Sequence, residues 1–116
     1  MDLPVFDKQD ALDMLGCDME LYEILLDAFI GVEFSREHLE KLIKQLDFSE
    51  AASYVHAVKG AGRQLACKKL AKSGQDLEDV LRKKAVGDLD SLTEVFVADY
   101  HEAFAVIKGE LDKIRS

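Results

Sequence analysis

The sequence predicts an all-α protein: an antiparallel up-down-up-down four-helix bundle with a short additional N-terminal helix. Three observations favour this fold. Pro4 is the only proline in 116 residues, and long stretches without proline favour long helices. Apolar residues recur at helical spacings of three and four from Leu21 to Ile114. No segment shows the alternating pattern of a strand, and the periodic segments are joined by only a few residues, which favours antiparallel neighbours.

Two helices are predicted in the first half of the chain. A short helix runs from Lys8 to Leu15, with Asp7 as its N-cap and Gly16 at its end. A second, much longer helix begins after Asp18 and extends for about 40 Å. Its seam alternates spacings of four and three, and we expect this seam to face the core. The seam consists of Leu21, Leu25, Ala28, Val32, Ser35, Leu39, Leu42 and Leu46.

Three further helices complete the predicted bundle. The pattern Asp47 to Glu50 fits a capping box that opens a third helix, which ends near Ala66. A fourth helix runs to about Ala85, and Gly87-Asp88 stops it and caps a fifth. The residues expected to face inward are Ala51, Ala52, Val55, Val58, Gly62 and Leu65, then Leu70, Gly74, Leu77 and Leu81, then Leu92, Phe96, Tyr100, Ala103, Ile107, Leu111 and Ile114.

Length and composition indicate one domain over residues 1–116. The net charge of −8 argues against nucleic acid and anionic membranes as partners. The chain has no apolar run long enough to span a membrane and no signal-peptide pattern at its start. Cys17 and Cys67 match no metal or redox spacing, so we expect reduced cysteines in a cytoplasmic protein, and we expect a monomer.

Positive charge is concentrated in one segment of this acidic chain. Ala51–Gln75 contains five Lys or Arg residues and no Asp or Glu. Such a segment is either an ordinary solvated helix face or a surface for an acidic partner or a phosphate. Its cations are Lys59, Arg63, Lys68, Lys69 and Lys72.

The same segment contains the most unusual local pattern. Gly60 and Gly62 lie inside a predicted helix, where each costs about 1 kcal/mol relative to alanine. On a helical wheel His56, Lys59, Gly60 and Arg63 share one stripe. Gly60 would leave the histidine ring unshielded, and the two cations would stabilise phosphoryl oxygens attached to it. A neutral imidazole nitrogen is a good nucleophile, so the pattern fits a phosphorylated histidine.

This stretch resembles the signature of the histidine-containing phosphotransfer (HPt) domain of bacterial multistep two-component phosphorelays, His-x-x-Lys-Gly-small-small. Here the signature is His56 to Gly62, followed by Leu65, Ala66 and Leu70. The similarity extends to the N-terminal segments 10–18 and 21–26. One departure is Ala66, at a position where the family commonly has a glycine that suits a left-handed helix cap.

The resemblance implies a phosphorelay intermediate without kinase or ATP-binding activity of its own. His56 would accept a phosphoryl group from an aspartyl phosphate on a receiver domain, of a response regulator or a hybrid sensor kinase, and pass it to another receiver. No cofactor would be bound by this chain, since the receiver supplies the Mg²⁺. Consistent with this, Gly60-Ala61-Gly62 lacks the spacing of a nucleotide-binding loop.

The resemblance also implicates Glu78, which matches a family position that hydrogen-bonds Nδ1 of the histidine. Such a bond would fix the ring tautomer and leave Nε2 as the nucleophile. The alternative is an ordinary solvated glutamate. Gly74, one turn earlier, would let the two helices approach closely.

Two other functions compete with phosphotransfer. One is a non-catalytic helical adaptor that docks an acidic partner domain through the basic Lys59–Lys72 region. The other is a metal- or cysteine-dependent hydrolase. The hydrolase has little support, because His38, His56 and His101 lie on three different predicted helices without ligand spacing.

Overall fold

The computed structural model describes residues 2–116, which form six helices joined by short connections. They are α1 (Lys8–Met14), α2 (Met19–Gly31), α3 (Arg36–Lys44), α4 (Phe48–Gln64), α5 (Lys68–Leu81) and α6 (Leu89–Arg115). The described residues contain no strand, and none of their helices is long and apolar enough to cross a bilayer. The all-α prediction is therefore confirmed.

Short polar side chains determine where most of these helices begin. In each case a side-chain oxygen accepts a hydrogen bond from a backbone N–H of the first turn, a group that has no partner within the helix. The predicted caps are confirmed, Ser35 caps α3 although it was predicted to lie inside a longer helix, and α5 alone begins without a side-chain cap. The capping residues are Asp7, Asp18, Ser35, Asp47 and Asp88.

The prediction of one 40 Å helix after Asp18 is wrong. α2 ends at Gly31, the backbone is extended at Val32 and Ser35, and α3 begins with Ser35 as its N-cap. Between the two helices Phe34 inserts into an aromatic cluster, with its ring 5.5 Å from that of Phe96 and 4.8 Å from that of Tyr100. Burial of this side chain against distant aromatic residues outweighs the local tendency to continue the helix.

The part of the predicted seam that lies on α2 is also wrong. The side chains buried in the core are Tyr22, Leu26 and Phe29, whereas Leu21 is 38 % exposed. Both sets of residues have helical spacing, but the set with two aromatic rings removes more apolar surface from water. Within the predicted seam, Leu21 and Ala28 are exposed, whereas Leu25 and Val32 are half-buried against the core. Leu46 at the end of the seam is exposed as well.

Four helices close a ring around the core. α4 packs on α5, α5 on α6, α6 on α2 and α2 on α4, while α1 lies against α2 and α3 against α4. The inward residues predicted for the last three helices lie in or against this core, except Gly62 and Gly74, which are buried at helix contacts. The up-down-up-down order of the helices stays a prediction.

α4 and α5 approach closely at two glycines. A Cβ on Gly62 would lie 3.0 Å from Leu70, and one on Gly74 would lie 3.1 Å from both Lys59 and Phe96. The turn between the helices closes through Ala66, whose φ of 54° is left-handed. Cys67 N–H donates to the carbonyl of Gly62 at 2.9 Å, so the alanine adopts the cap conformation in which glycine is common.

We expect Gly74→Ala to destabilise the fold by about 1–3 kcal/mol, because the added methyl group overpacks the contact between α5, Lys59 and Phe96. Urea unfolding measures the effect. Gly109→Ala is the matched control, since Gly109 lies in α6 with nothing within 4 Å of an added Cβ; it should stabilise by up to about 1 kcal/mol. Equal stability of the two variants would contradict the described packing.

Candidate functional site

The side chain of His56 projects from the middle of α4 into solvent. It is 60 % exposed, whereas its neighbours Val55 and Val58 are buried in the core. The apolar face of α4 therefore fixes the rotation of the helix and directs the imidazole outward. This placement agrees with the expectation from the helical wheel.

A carboxylate on the next helix approaches one edge of the ring. Nδ1 of His56 lies 3.2 Å from both carboxylate oxygens of Glu78. The Glu78 side chain is only 7 % exposed, so the alternative of an ordinary solvated glutamate is wrong. The helix contact at Gly74, one turn before Glu78, brings α5 close enough for this approach.

The Lys59 side chain is buried rather than exposed next to His56. The sequence placed Lys59 on the exposed stripe, and this is wrong, because its side chain is 6 % exposed. The aliphatic stem packs over Gly74, and the ammonium group lies 2.8 Å from Glu78 Oε1 and donates to Gln75 Oε1 at 2.9 Å. A long stem can cover apolar surface while its charged end finds a buried partner.

Two residues that the sequence analysis did not identify complete this network. Arg82 Nε lies 2.8 Å from Glu78 Oε2, and Gln75 accepts from Lys59. The sequence did contain a signal for these two residues. The helical spacing of three and four places on one face Gln75 and Glu78 of α5 and Arg82 at its C-cap. Burial raises the pKa of Glu78, but the hydrogen bonds from Lys59, Arg82 and His56 outweigh it and lower this pKa to about 2.

The protonation state of Glu78 determines the tautomer of the ring. An ionised carboxylate has no proton to donate and only accepts hydrogen bonds. Nδ1 of His56 must therefore carry the proton in the contact with Glu78. In the neutral ring the lone pair then resides on Nε2, on the side of the imidazole away from Glu78. The arrangement is a solvent-accessible nitrogen nucleophile held by a buried anion.

A shallow apolar groove of about 400 Å³ runs beside the histidine between α2 and α4. Residues of α2 and the residue that follows it form one wall, and small residues of α4 form the other. Gly60 lies in this groove, and nothing lies within 4 Å of a Cβ built on it. Packing therefore does not require a glycine at this position, in contrast to Gly62. The groove includes Leu25 and Ala28 of α2, Val32 directly after it, and Ala57, Gly60 and Ala61 of α4.

The structure does not bring Arg63 into the Glu78 network. Arg63 is exposed and lies near α1, in a depression that also includes Met14 and Cys67. It is seven residues after His56, about 10 Å along the helix axis. A role for Arg63 in stabilising a phosphoryl group stays a prediction.

Most of the basic segment is neutralised by acidic residues of the same chain. Lys59 pairs with Glu78, Lys68 with Asp7 and Asp10, Lys69 with Glu102 and Lys72 with Asp76. Of its five cations, only Arg63 makes no ion pair within residues 2–116. These contacts leave little unpaired positive charge with which the region would attract an acidic partner.

The other histidines and the cysteines lie elsewhere. His38 packs edge-on against Tyr54, with ring centroids 4.9 Å apart, and His101 packs against its neighbour Tyr100. Both cysteines are free thiols. Burial raises the pKa of the Cys67 thiol to about 12, which makes that thiol a poor nucleophile at neutral pH.

Comparison with known proteins gives two matches and one negative result. A family model described as Hpt domain matches residues 25–116. The crystal structure of histidine-containing phosphotransfer protein B (HptB) from Pseudomonas aeruginosa PAO1 has the same fold, with a TM-score of 0.78 and 19 % identity over 97 % of this chain and 98 % of that one. Among curated protein sequences no significant match is found.

Proposed function

Because this chain belongs to the Hpt domain family, we propose that it is the histidine phosphotransfer protein of a two-component phosphorelay, with His56 as the phosphoacceptor. The observation that carries this proposal is the exposed imidazole whose Nδ1 lies 3.2 Å from the buried carboxylate of Glu78. This contact leaves Nε2 free for an incoming phosphoryl group.

The proposed reaction is a transfer between an aspartyl phosphate and a ring nitrogen. The Nε2 lone pair attacks phosphorus, an N–P bond forms, and the P–O bond to the aspartyl carboxylate breaks so that the carboxylate leaves. The product ring carries a proton on Nδ1 and a positive charge. Glu78, which contacts Nδ1, stabilises that charge. Transfer to a second receiver reverses these steps.

The supporting residues act mainly through Glu78. Lys59 and Arg82 hold its carboxylate ionised and fixed in place, and Gly60 keeps the approach to the ring open. The receiver supplies Mg²⁺ for the phosphoryl oxygens, so this chain needs no cofactor and acts as an intermediate rather than a kinase. We place it in the cytoplasm as a monomer, where receiver domains are accessible to it.

The receiver docks on the groove beside His56. Leu25, Ala28 and Val32 line the groove next to the histidine, and contiguous apolar surface of this kind is typical of protein interaction sites. The small residues of α4 allow a partner to approach the ring closely. The face therefore combines an apolar contact area with a central nucleophile.

Phosphoryl transfer from receivers tests the proposal. The purified protein is incubated with individual receiver domains of the source organism, acetyl phosphate and Mg²⁺. We expect receiver-dependent labelling with a phosphate that is labile in acid and stable in base, as an N–P bond requires. If no receiver labels the protein while the receivers themselves become phosphorylated, the proposed function is wrong.

A charge in the groove distinguishes docking there from docking on the basic segment. Ala28→Glu should reduce receiver-dependent labelling at least tenfold without loss of stability, because Ala28 is exposed and lines the groove. Ala105→Glu, on the exposed face of α6, is the matched control and should be neutral. Lys69→Glu should also be nearly neutral. If Lys69→Glu loses binding to the receiver while Ala28→Glu keeps it, the result would favour the adaptor hypothesis.

Gly60→Gln separates the functional reason for this glycine from a structural one. Nothing lies within 4 Å of a Cβ built on Gly60 in α4, and glutamine favours a helix more than glycine does, so the variant should be more stable by a few tenths to about 1 kcal/mol. It should nevertheless transfer phosphate more slowly at low receiver concentration, since the new side chain shields His56. Thermal unfolding and labelling rates measure the two effects. A labelling rate of Gly60→Gln equal to that of the wild type would show that Gly60 has no role in the site.

A further inference from the structure

The break between α2 and α3 is held by hydroxyl groups from two other helices. Tyr54 of α4 accepts a hydrogen bond from Ser35 N–H at 2.7 Å and donates to the carbonyl of Glu33 at 3.3 Å. Tyr100 of α6 donates to the carbonyl of Val32 at 3.4 Å. These three backbone groups lie where helical hydrogen bonding is interrupted, so the tyrosines provide partners that the helix does not.

Aromatic side chains also pack against the segment between α2 and α3. Phe34, in the middle of the break, stacks on Tyr54 with ring centroids 5.6 Å apart and contacts Phe96 and Tyr100. His38 packs edge-on against Tyr54. Both tyrosines pack against Phe34, but Tyr54 binds the backbone of the break at two points and Tyr100 at one.

The break is directly connected to the proposed docking groove. Val32, its first residue, lines the groove beside His56. Tyr54 lies two residues before His56 on the same helix. The Tyr54 side chain thus connects the segment that follows α2 to α4, the helix that carries the nucleophile. Its hydroxyl group bonds this segment and not Glu78 or the imidazole.

We propose that Tyr54 is a positioning residue for receiver docking: its hydroxyl group binds the backbone of Glu33 and Ser35, next to Val32, so that the α2 wall and His56 present one fixed surface. This inference rests on the proposed phosphotransfer function. Docking affinity should depend on Tyr54, whereas the chemical step should not, because the contacts of Nδ1 with Glu78 are independent of the break.

Tyr54→Phe tests the inference in the full chain. The probe is the receiver domain that labels His56 fastest, and transfer is measured against its concentration. The half-saturating concentration should rise about two- to tenfold, the equivalent of one hydrogen bond, and the limiting rate should stay within about twofold. Tyr22→Phe is the matched control, since the Tyr22 hydroxyl donates to Glu110 at 3.1 Å, away from the groove; its half-saturating concentration should not change.

Hydrogen exchange provides a second readout that needs no receiver. Amides of residues 32–36 should exchange faster in Tyr54→Phe than in the wild type, and not in Tyr22→Phe. A half-saturating concentration equal to that of the wild type in Tyr54→Phe would overturn the inference and leave the proposed function intact, as would an equal rise in both variants. If the wild type accepts no phosphoryl group, the proposed function fails and the docking role fails with it.

Discussion

His56→Gln is expected to abolish receiver-dependent phosphoryl transfer and to leave the helical fold intact. Glutamine has no nucleophilic nitrogen, so the acceptor atom is lost. The side chain is 60 % exposed and its polar contact is with Glu78, which keeps Lys59 and Arg82 as partners, so the free energy of unfolding should fall by no more than about 1.5 kcal/mol. Labelling by a phosphorylated receiver and circular dichroism measure the two effects on the same sample.

The two remaining histidines provide the controls for this variant. His38 and His101 are exposed and lie outside the Glu78 network. His101→Gln should therefore be labelled at the rate of the wild type, and so should His38→Gln at saturating receiver concentration, where the contact of His38 with Tyr54 does not matter. Labelling that persists in His56→Gln, or that disappears in either control without loss of fold, would contradict the assignment of the acceptor.

Glu78→Ala is expected to destabilise the protein by about 3–5 kcal/mol. The substitution leaves the buried ammonium group of Lys59 without its ionic partner, and a buried charge that loses its partner is costly. Glu102→Ala is the matched control, because the pair of Glu102 with Lys69 is exposed and should be worth at most about 1 kcal/mol. Urea unfolding measures both variants. Equal effects would show that the Lys59–Glu78 pair behaves as a surface pair.

The contribution of Glu78 should also depend on pH in a defined direction. Its pKa is lowered from 4.5 to about 2 in the folded protein. A lowered pKa stabilises the fold above the unfolded-state value, and this stability is lost as the pH falls from 4.5 towards 2. The shift corresponds to about 3 kcal/mol. The stability difference between the wild type and Glu78→Gln should therefore be constant near neutral pH and decrease below pH 4.5; a difference that does not change with pH would contradict the lowered pKa.

The starts of four helices were predictable because they depend on local chemistry, whereas the predicted end near Ala85 is wrong, since α5 ends at Leu81. Asp7, Asp18, Asp47 and Asp88 cap helices where the sequence places them. The apolar spacing of the last three helices also identified their buried faces, since one pattern dominates each of them. The exposure of His56 followed from the same spacing, because Val55 and Val58 fix the orientation of α4.

The break after Gly31 was not predictable from local pattern. Two overlapping sets of residues in α2 have helical spacing, and the choice between them depends on partners far along the chain. Tyr54 and Tyr100 bind the backbone of the break, and neither contact has a signature in the sequence between α2 and α3. As a consequence, three residues of the predicted seam, Leu25, Ala28 and Val32, form one wall of the groove beside His56.

Only part of the site was predictable, because several of its contacts join two different helices. His56 and Gly60 stand out within one helix, whereas Glu78 was reached only through the resemblance. The burial of Lys59 depends on the contact between α4 and α5 at Gly74, so a helical wheel of α4 alone places this side chain incorrectly. Arg82 contacts Glu78 one turn away on α5, a spacing common to many surface pairs.

The central claim is that Nε2 of His56 carries the phosphoryl group. NMR correlation of phosphorus with the ring nitrogens of the protein, after phosphorylation by a receiver, tests it most directly. The account predicts coupling of one phosphorus to Nε2 of His56 and a proton retained on Nδ1, which donates a hydrogen bond to Glu78. Coupling to Nδ1, or to a nitrogen of His38 or His101, would contradict it.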